Sequence, residues 1–479
     1  MSDERWASPL GTRYASPAMQ RLWGEPHRIG LWRRIWLALA EAERELGLPI
    51  TDEALAQMRA HLDDADLAAA ARYERRFRHD VMAHVHAFAD QAPAARPFLH
   101  LGATSAFVTD NADLVVMRDG LRLLLGRAVA VLSSLEGFAE RTAHLPCLAY
   151  THFQPAQLTT VGKRATLWMQ DFGLDVEELC HRIETLRFRG CQGTTGTQAS
   201  FLELFAGDDG KVRELERRVT AKLGFREQFA VTGQTYPRKA DSQILDVLSG
   251  IAQSAAKMAT DLRLLQHEGE LLEPFEAEQI GSSAMAYKRN PMRAERISGL
   301  ARFVISLQAN GAHTAASQWL ERTLDDSANR RLTLPEAFLG TDAILVLATN
   351  IAAGLEVREN VIHRNVMDKM PFMATERWLM LGVAAGGDRQ ALHEVIRRHS
   401  LAVAEAVAGG AANDLLERLG ADPAFAGIPA ADLRAQLDPV NYTGRAARQV
   451  SEFLDEYLRP LLARARPLAA EAGSAEVKV

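Results

Sequence analysis

Apolar residues recur along most of this chain at spacings of three and four, the pattern that lines up one face of an α-helix. In WRRIWLALAEAERELGL, Trp32, Ile35, Trp36, Leu39 and Leu46 share one stripe, and Gly47 and Pro49 follow as stop signals. Four longer stretches carry the same periodicity, at about 111–144, 156–187, 239–272 and 292–317, and none has an interior proline. Runs beyond about 25 residues predict long helices packed side by side in a bundle. Alternation of apolar and polar positions, the mark of half-buried strands, is nearly absent. The expected fold class is all-α.

Punctuation divides the chain into three expected domains. A helical N-terminal section, 1–104, ends at HLGATS, and a long-helix section spans 105–357. A C-terminal section of shorter helices, 358–479, has turns at MPF, AGGD and GIPAAD and a tail, AAEAGSAEVKV, expected to fray. A chain of 479 residues can bury a core without disulfides or metals. The net charge of −6 provides no basic field, so no nucleic-acid partner is expected and an anionic ligand must be held by local cations. No run of eighteen apolar residues points to a membrane. MSDERWASPL lacks the basic-then-apolar order of a secretory signal. Cys147, Cys180 and Cys191, without a CxxC spacing, suit a reducing, cytoplasmic setting.

Several polar clusters interrupt the helical pattern. RHDVMAHVHAF holds His79, His84 and His86, but only 79 and 86 share a helical face and no HExxH is present, so a metal site is disfavoured. Arg78, His79 and Asp80 are instead a dense donor and acceptor set suited to a polar ligand. Thr104 and Ser105 lie in a glycine-containing loop before a long helix, where hydroxyls either cap the helix or receive an anion. His152 stands just ahead of Pro155, which can occupy the first turn of the following helix; an imidazole in such a turn is exposed and oriented, and by itself reads either as a surface turn residue or as a proton-transfer group. GCQGTTGTQAS lacks the GK[ST] ending of a P-loop, so it reads as a tight junction near a ligand rather than an ATP site. In ERTLDDSANRR, Ser327 and Arg331 are four apart on one helical face, with Arg322 about a turn and a half upstream; arginine forks match phosphate or carboxylate. The adjacent Asp325 and Asp326 would point apart on a helix. Finally GSSAMAYKRNP sets two serines in a small-residue loop a few positions before Lys288, Arg289 and Asn290.

GSSAMAYKRNP resembles the signature loop of the fumarase/aspartase superfamily. RHD, GATS, THFQPAQLTTVGKR, GTTGTQAS, TGQTY and ERTLDDSANRR together are similar to the adenylosuccinate lyase family, from TRYAS at 12 to TGRA at 443. The resemblance implies a cofactor-independent carbon–nitrogen lyase that releases fumarate from adenylosuccinate, leaving AMP, and from the earlier purine intermediate SAICAR, leaving AICAR. It implies a homotetramer with a twenty-helix core and active sites built from three subunits. It assigns Ser282 as base and His152 as general acid, with Glu295 as the carboxylate that restores its charge. Lys288 and Asn290 would stabilise charge on the substrate carboxylate, and Thr104, Ser105 and Gln234 would grip the fumaryl carboxylates. His79 would orient the substrate. Arg13, Tyr14, Arg322, Ser327 and Arg331 would hold the phosphate and ribose, and Arg78, Asp80 and Arg296 would line the pocket. Residue 286 is alanine where the signature carries proline, which predicts a looser loop with its reacting groups intact. Two alternatives stand beside this reading: another fumarate-releasing lyase such as an argininosuccinate lyase, and a non-catalytic helical scaffold.

Overall fold

Five helices of 25 residues or more carry the architecture, and their directions decide where every candidate residue lies. The computed structural model describes residues 6–470. Helix α1 (Glu25–Glu45) buries Trp32, Ile35, Trp36 and Leu39, and ends just before Gly47, whose φ of 102° suits a glycine stop. Helix α2 (Asp80–Gln91) follows. The bundle then consists of α3 (Ser105–Arg141), α4 (Val161–Thr185), α5 (Lys239–His267), α6 (Met292–Ser317) and α7 (Asp325–Gly354).

Cross-contacts fix the directions. Gly162 at the start of α4 lies against Ala139 and Ala143 near the end of α3, and a Cβ there would fall 2.4 Å from the Ala139 carbonyl oxygen. Gly311, late in α6, rests on Ser242 and Leu245, early in α5. Both pairs are therefore antiparallel. Arg330 reaches Asp113 and Arg127 reaches Asp342, so α3 and α7 run parallel. One end of the bundle thus gathers the starts of α3, α5 and α7. The other gathers their ends and the starts of α4 and α6.

Among the described residues the protein is all-α apart from one antiparallel hairpin and one short antiparallel pair of distant strands, and several expected boundaries shift. The helix expected from 156 begins at Val161; Gln154–Thr160 is instead strand β2, paired with β1 (Pro146–Thr151). This hairpin escapes periodicity analysis because its outer half is exposed on both faces, so no buried face alternates. Helix α5 stops at His267, and Leu271–Leu272 (β3) pairs with Glu356–Val357 (β4). The first long run begins earlier than 111, at Ser105, and ends at Arg141. Helix α7 was not among the expected long runs because Pro335 interrupts its pattern, and Pro371 of MPF likewise lies inside a helix, α8 (Glu359–Met373), rather than a turn. By length and composition α7 could cross a membrane, but 72% of its apolar window is buried within the protein, as in a core helix. The main hydrophobic cluster fills the bundle and includes α1. A second cluster, around Trp378, Leu392, Leu419 and Leu433, lies in the C-terminal section, whose final helix, Arg459–Ala465, returns to the bundle. The expected fraying tail lies outside the described residues from 471 onward.

Candidate active site

Where α3, α5 and α7 begin, a cavity of about 1010 Å³ opens. Arg78, His79 and Asp80 reach it from the corner before α2. Arg78 ends the preceding helix in the left-handed region (φ 56°), and His79 caps α2 by accepting the Met82 amide on Nδ1 at 3.3 Å. A neutral His79 ring then keeps its proton on Nε2, 3.3 Å from Ser105 Oγ. Thr104 takes the cap position of α3 by its backbone, but its hydroxyl makes no capping bond, so capping does not account for it. Thr104 and Ser105 line the cavity, as do Gln234, Ser327 and Arg331. Arg331 lies 3.4 Å from Asp80 across the opening. Arg322 also lines the cavity, although it precedes α7 instead of riding on it; its direction comes from an ion pair with Asp326 at 3.0 Å. Of the three histidines only His79 faces this space. His84 stacks edge-on against Trp32 at 5.4 Å and His86 packs on Tyr73 at 5.2 Å, so the three do not converge.

The cavity floor is a buried ionic network that the sequence reading did not nominate. Arg238 pairs with both oxygens of Asp110 at 3.1 Å and with Asp326 at 2.7 Å. Arg330 pairs with Asp241 at 2.7 Å and Asp113 at 3.0 Å, and meets the Tyr236 hydroxyl. Burial pushes the Asp110 carboxyl up, but Arg238 and Arg330 more than reverse this and hold it below its ordinary value. At Asp113 burial wins over Arg330, and the value is raised. A signal for part of this existed: Ser105, Thr109 and Asp113 recur every fourth residue on one face of α3, and all three line the cavity. The GTTG loop serves the same region. A Cβ on Gly196 would fall 1.8 Å from the Thr232 carbonyl oxygen, and one on Gly233 2.6 Å from that of Glu321. These glycines let three chain segments press together, and Gln234 is held between them by the Glu321 carbonyl and the Arg189 guanidinium.

The remaining candidates lie at the opposite end. His152 occupies the hairpin tip, where it and Phe153 have φ of 53° and 57°, the pair of positive values a type I′ turn requires. Such φ at two non-glycine residues carries a backbone cost. Pro155 lies in β2, six residues before α4, so the expected helix N-terminus does not bear on His152. In the 281–291 loop, Ser282 Oγ accepts the Met285 amide at 3.1 Å and the Ala284 amide at 3.4 Å. Lys288 N donates to the Met285 carbonyl at 3.0 Å, closing a turn with Ala286 in its second position. Asn290 donates to the Gly281 carbonyl at 2.8 Å, while Lys288 is exposed. Glu295 and Arg296 follow in the first turns of α6. The Arg296 guanidinium lies over the Tyr14 ring at 5.3 Å; burial lowers its pKa, and the Arg13 charge pushes the same way. Within one chain Glu295 and His152 do not pair.

Gln234 stands before α5 and Ser282 beyond it. At 29 residues that helix is about 43 Å long, a distance no nucleotide-sized substrate spans.

This long-helix bundle matches solved structures that include the 3-carboxy-cis,cis-muconate lactonizing enzyme of Pseudomonas putida (TM-score 0.79, 23% identity, 96% of this chain and 99% of that one). A fumarate lyase of Mesorhizobium sp. BNC1 also matches (TM-score 0.76, 23% identity, 94% and 98%). Residues 20–306 match the lyase family model, so the class is that of a lyase enzyme. Residues 371–453 match the model of the adenylosuccinate lyase C-terminus. The chain is 49% identical over 458 residues to the adenylosuccinate lyase of Saccharomyces cerevisiae, covering 95% of each. It is 47% identical over 462 residues to that of Schizosaccharomyces pombe, covering 96% of each. The chain belongs to the adenylosuccinate lyase family.

Proposed function

We propose that this lyase cleaves adenylosuccinate to AMP and fumarate, and SAICAR to AICAR and fumarate, by the same β-elimination. The observation that carries this is the cavity at the starts of α3, α5 and α7. The hydroxyls of Thr104, Ser105 and Ser327, the Gln234 amide, and Arg78, Arg322 and Arg331 converge there from separate segments, a set suited to a substrate with carboxylates at one end and phosphate at the other. Ser282 removes the proton from the succinyl carbon next to a carboxylate, and the developing charge on that carboxylate is stabilised by Lys288 and Asn290. The amides of Ala284 and Met285 favour the Ser282 alkoxide, since both already point at Oγ. The carbon–nitrogen bond then breaks, and His152, charged with help from Glu295, protonates the departing nitrogen. Thr104, Ser105 and Gln234 hold the fumaryl carboxylates and His79 orients the molecule. Arg322, Ser327 and Arg331, with Arg13 and Tyr14, hold the phosphate and ribose.

Such a site requires groups from both ends of the bundle, which supports a homotetramer in which each cavity is completed by the hairpin and loop of other subunits. Three buried free cysteines support a reducing, cytoplasmic setting. The test is incubation of purified protein with adenylosuccinate, SAICAR or argininosuccinate while following absorbance. Turnover of the first two is expected, and turnover of argininosuccinate alone overturns the reading.

A further inference from the structure

We propose that Asp326 is a positioning residue that holds Arg322 in place for the phosphate end of the substrate; this rests on the function proposed above. Arg322 lies in a non-helical stretch before α7, so its own backbone does little to direct a long, flexible side chain. What directs it is Asp326, only 2% exposed, whose two oxygens lie 3.0 and 3.1 Å from Arg322 Nη1. Asp326 is itself anchored, because its Oδ2 accepts from Arg238 Nε at 2.7 Å and Arg238 grips both oxygens of Asp110 on α3. The chain Asp110–Arg238–Asp326–Arg322 therefore ties the cavity arginine to the helix that begins at Ser105. Only Nη1 of Arg322 is engaged in this chain. Nε and Nη2 keep N–H donors in the fork geometry that matches a phosphate.

Two effects of the carboxylate oppose one another, and they differ in sign. As a charge beside Arg322, Asp326 weakens its attraction for an anion. As an anchor it removes rotamer freedom that Arg322 would otherwise lose on binding, and preorganisation of this kind raises affinity. Counted with Arg330, Asp113 and Asp241, the connected floor carries four carboxylates against three guanidiniums, so with Asp326 neutralised three remain against three and no excess of positive charge is released to draw in an anion. The anchoring effect dominates.

The experiment compares kcat/KM for adenylosuccinate with that for its dephosphorylated nucleoside, in wild-type enzyme and in Asp326→Asn. The expected result is that nucleotide preference falls about tenfold or more, mainly through KM, while the nucleoside is affected far less. In an Arg322→Ala background Asp326→Asn should cause no further fall in preference, as a double-mutant cycle requires of groups acting through one another. If Asp326→Asn does not fold, Asp326→Glu, which keeps the charge but displaces it by one methylene, should show a smaller fall of the same kind. An unchanged or increased preference, or an equal loss for both substrates, overturns the proposal. A wild-type enzyme without preference for the nucleotide would overturn the phosphate-end assignment itself, and so is distinguishable from failure of Asp326 alone.

Discussion

The two-ended geometry makes a quantitative prediction about mixtures of inactive variants. His79 lies at the cavity and Ser282 at the far end of the bundle, separated by helices such as α5, about 43 Å long. Ser282→Ala removes the proposed base, and His79→Ala removes the ring that contacts Ser105. Each variant alone should lose about a hundredfold or more in turnover, as removal of a proton-transfer or orienting group does. In an equal mixture whose subunits exchange freely, a site is repaired only when its cavity comes from the Ser282→Ala chain and its loop from the His79→Ala chain. Each has a chance of one half, so about a quarter of wild-type activity should return in the symmetric assembly. The assay is fumarate release after co-incubation under mild dissociating conditions, with the unmixed variants treated identically. Activity that stays at the level of the unmixed variants, although the subunits have exchanged, would refute the shared site. A parallel mixture of His152→Ala with Ser282→Ala should recover a similar fraction if hairpin and loop serve different cavities.

Three further expectations follow from single contacts. Ala286 occupies the second position of the turn closed by Lys288 N and the Met285 carbonyl, where proline presets φ; Ala286→Pro should favour the ordered loop by about 0.4–1 kcal/mol, seen as slower proteolysis within 281–291, and faster cleavage would contradict this. His100 accepts the Trp36 indole N–H at 2.9 Å, and burial lowers it to about 4 from the usual 6.5. Its contribution is therefore complete above pH 6.5 and is lost as pH falls toward 4, by about 3 kcal/mol at most, so wild-type Tm should drop between pH 7 and 5 more steeply than that of His100→Gln. Asp342 is fully buried, accepting from Arg127 and from the Ser16 amide; Arg127→Ala should cost about 3–5 kcal/mol in a denaturant titration, and a loss under about 1 kcal/mol would show that the carboxylate finds another partner.

What was legible in the sequence follows from what burial imposes on it. Helices packed in a bundle must repeat apolar residues every three or four positions, and 292–317 emerged with its ends unchanged because nothing else competes there. The outer half of the hairpin carrying His152 is exposed, so no apolar face repeats along either strand and a proline inside β2 was mistaken for a helix start. Helix α7 was missed for two reasons: Pro335 interrupts its first half, and 340–348 is buried on every side, so no polar stripe marks its period there. The cavity residues announced themselves because Arg78, His79, Thr104, Gln234 and Arg322 stand in short breaks between helices, and Ser105, Ser327 and Arg331 lie within the first two turns after such breaks. Asp110, Asp113, Arg238 and Arg330 did not, since a charged residue within a helix reads as solvent-facing unless its partner is known, and each partner lies far along the chain. The division of candidates between two ends needs helix length and the contacts of the segment that follows it. With 239–267 one unbroken helix, residue 282 could return to 234 only if 268–282 ran back along it; Pro274 instead rests on Gly354 at the end of α7 and Gln266 donates to the Arg289 carbonyl, which keeps the loop at the far end and makes helix length an argument for assembly that owes nothing to resemblance.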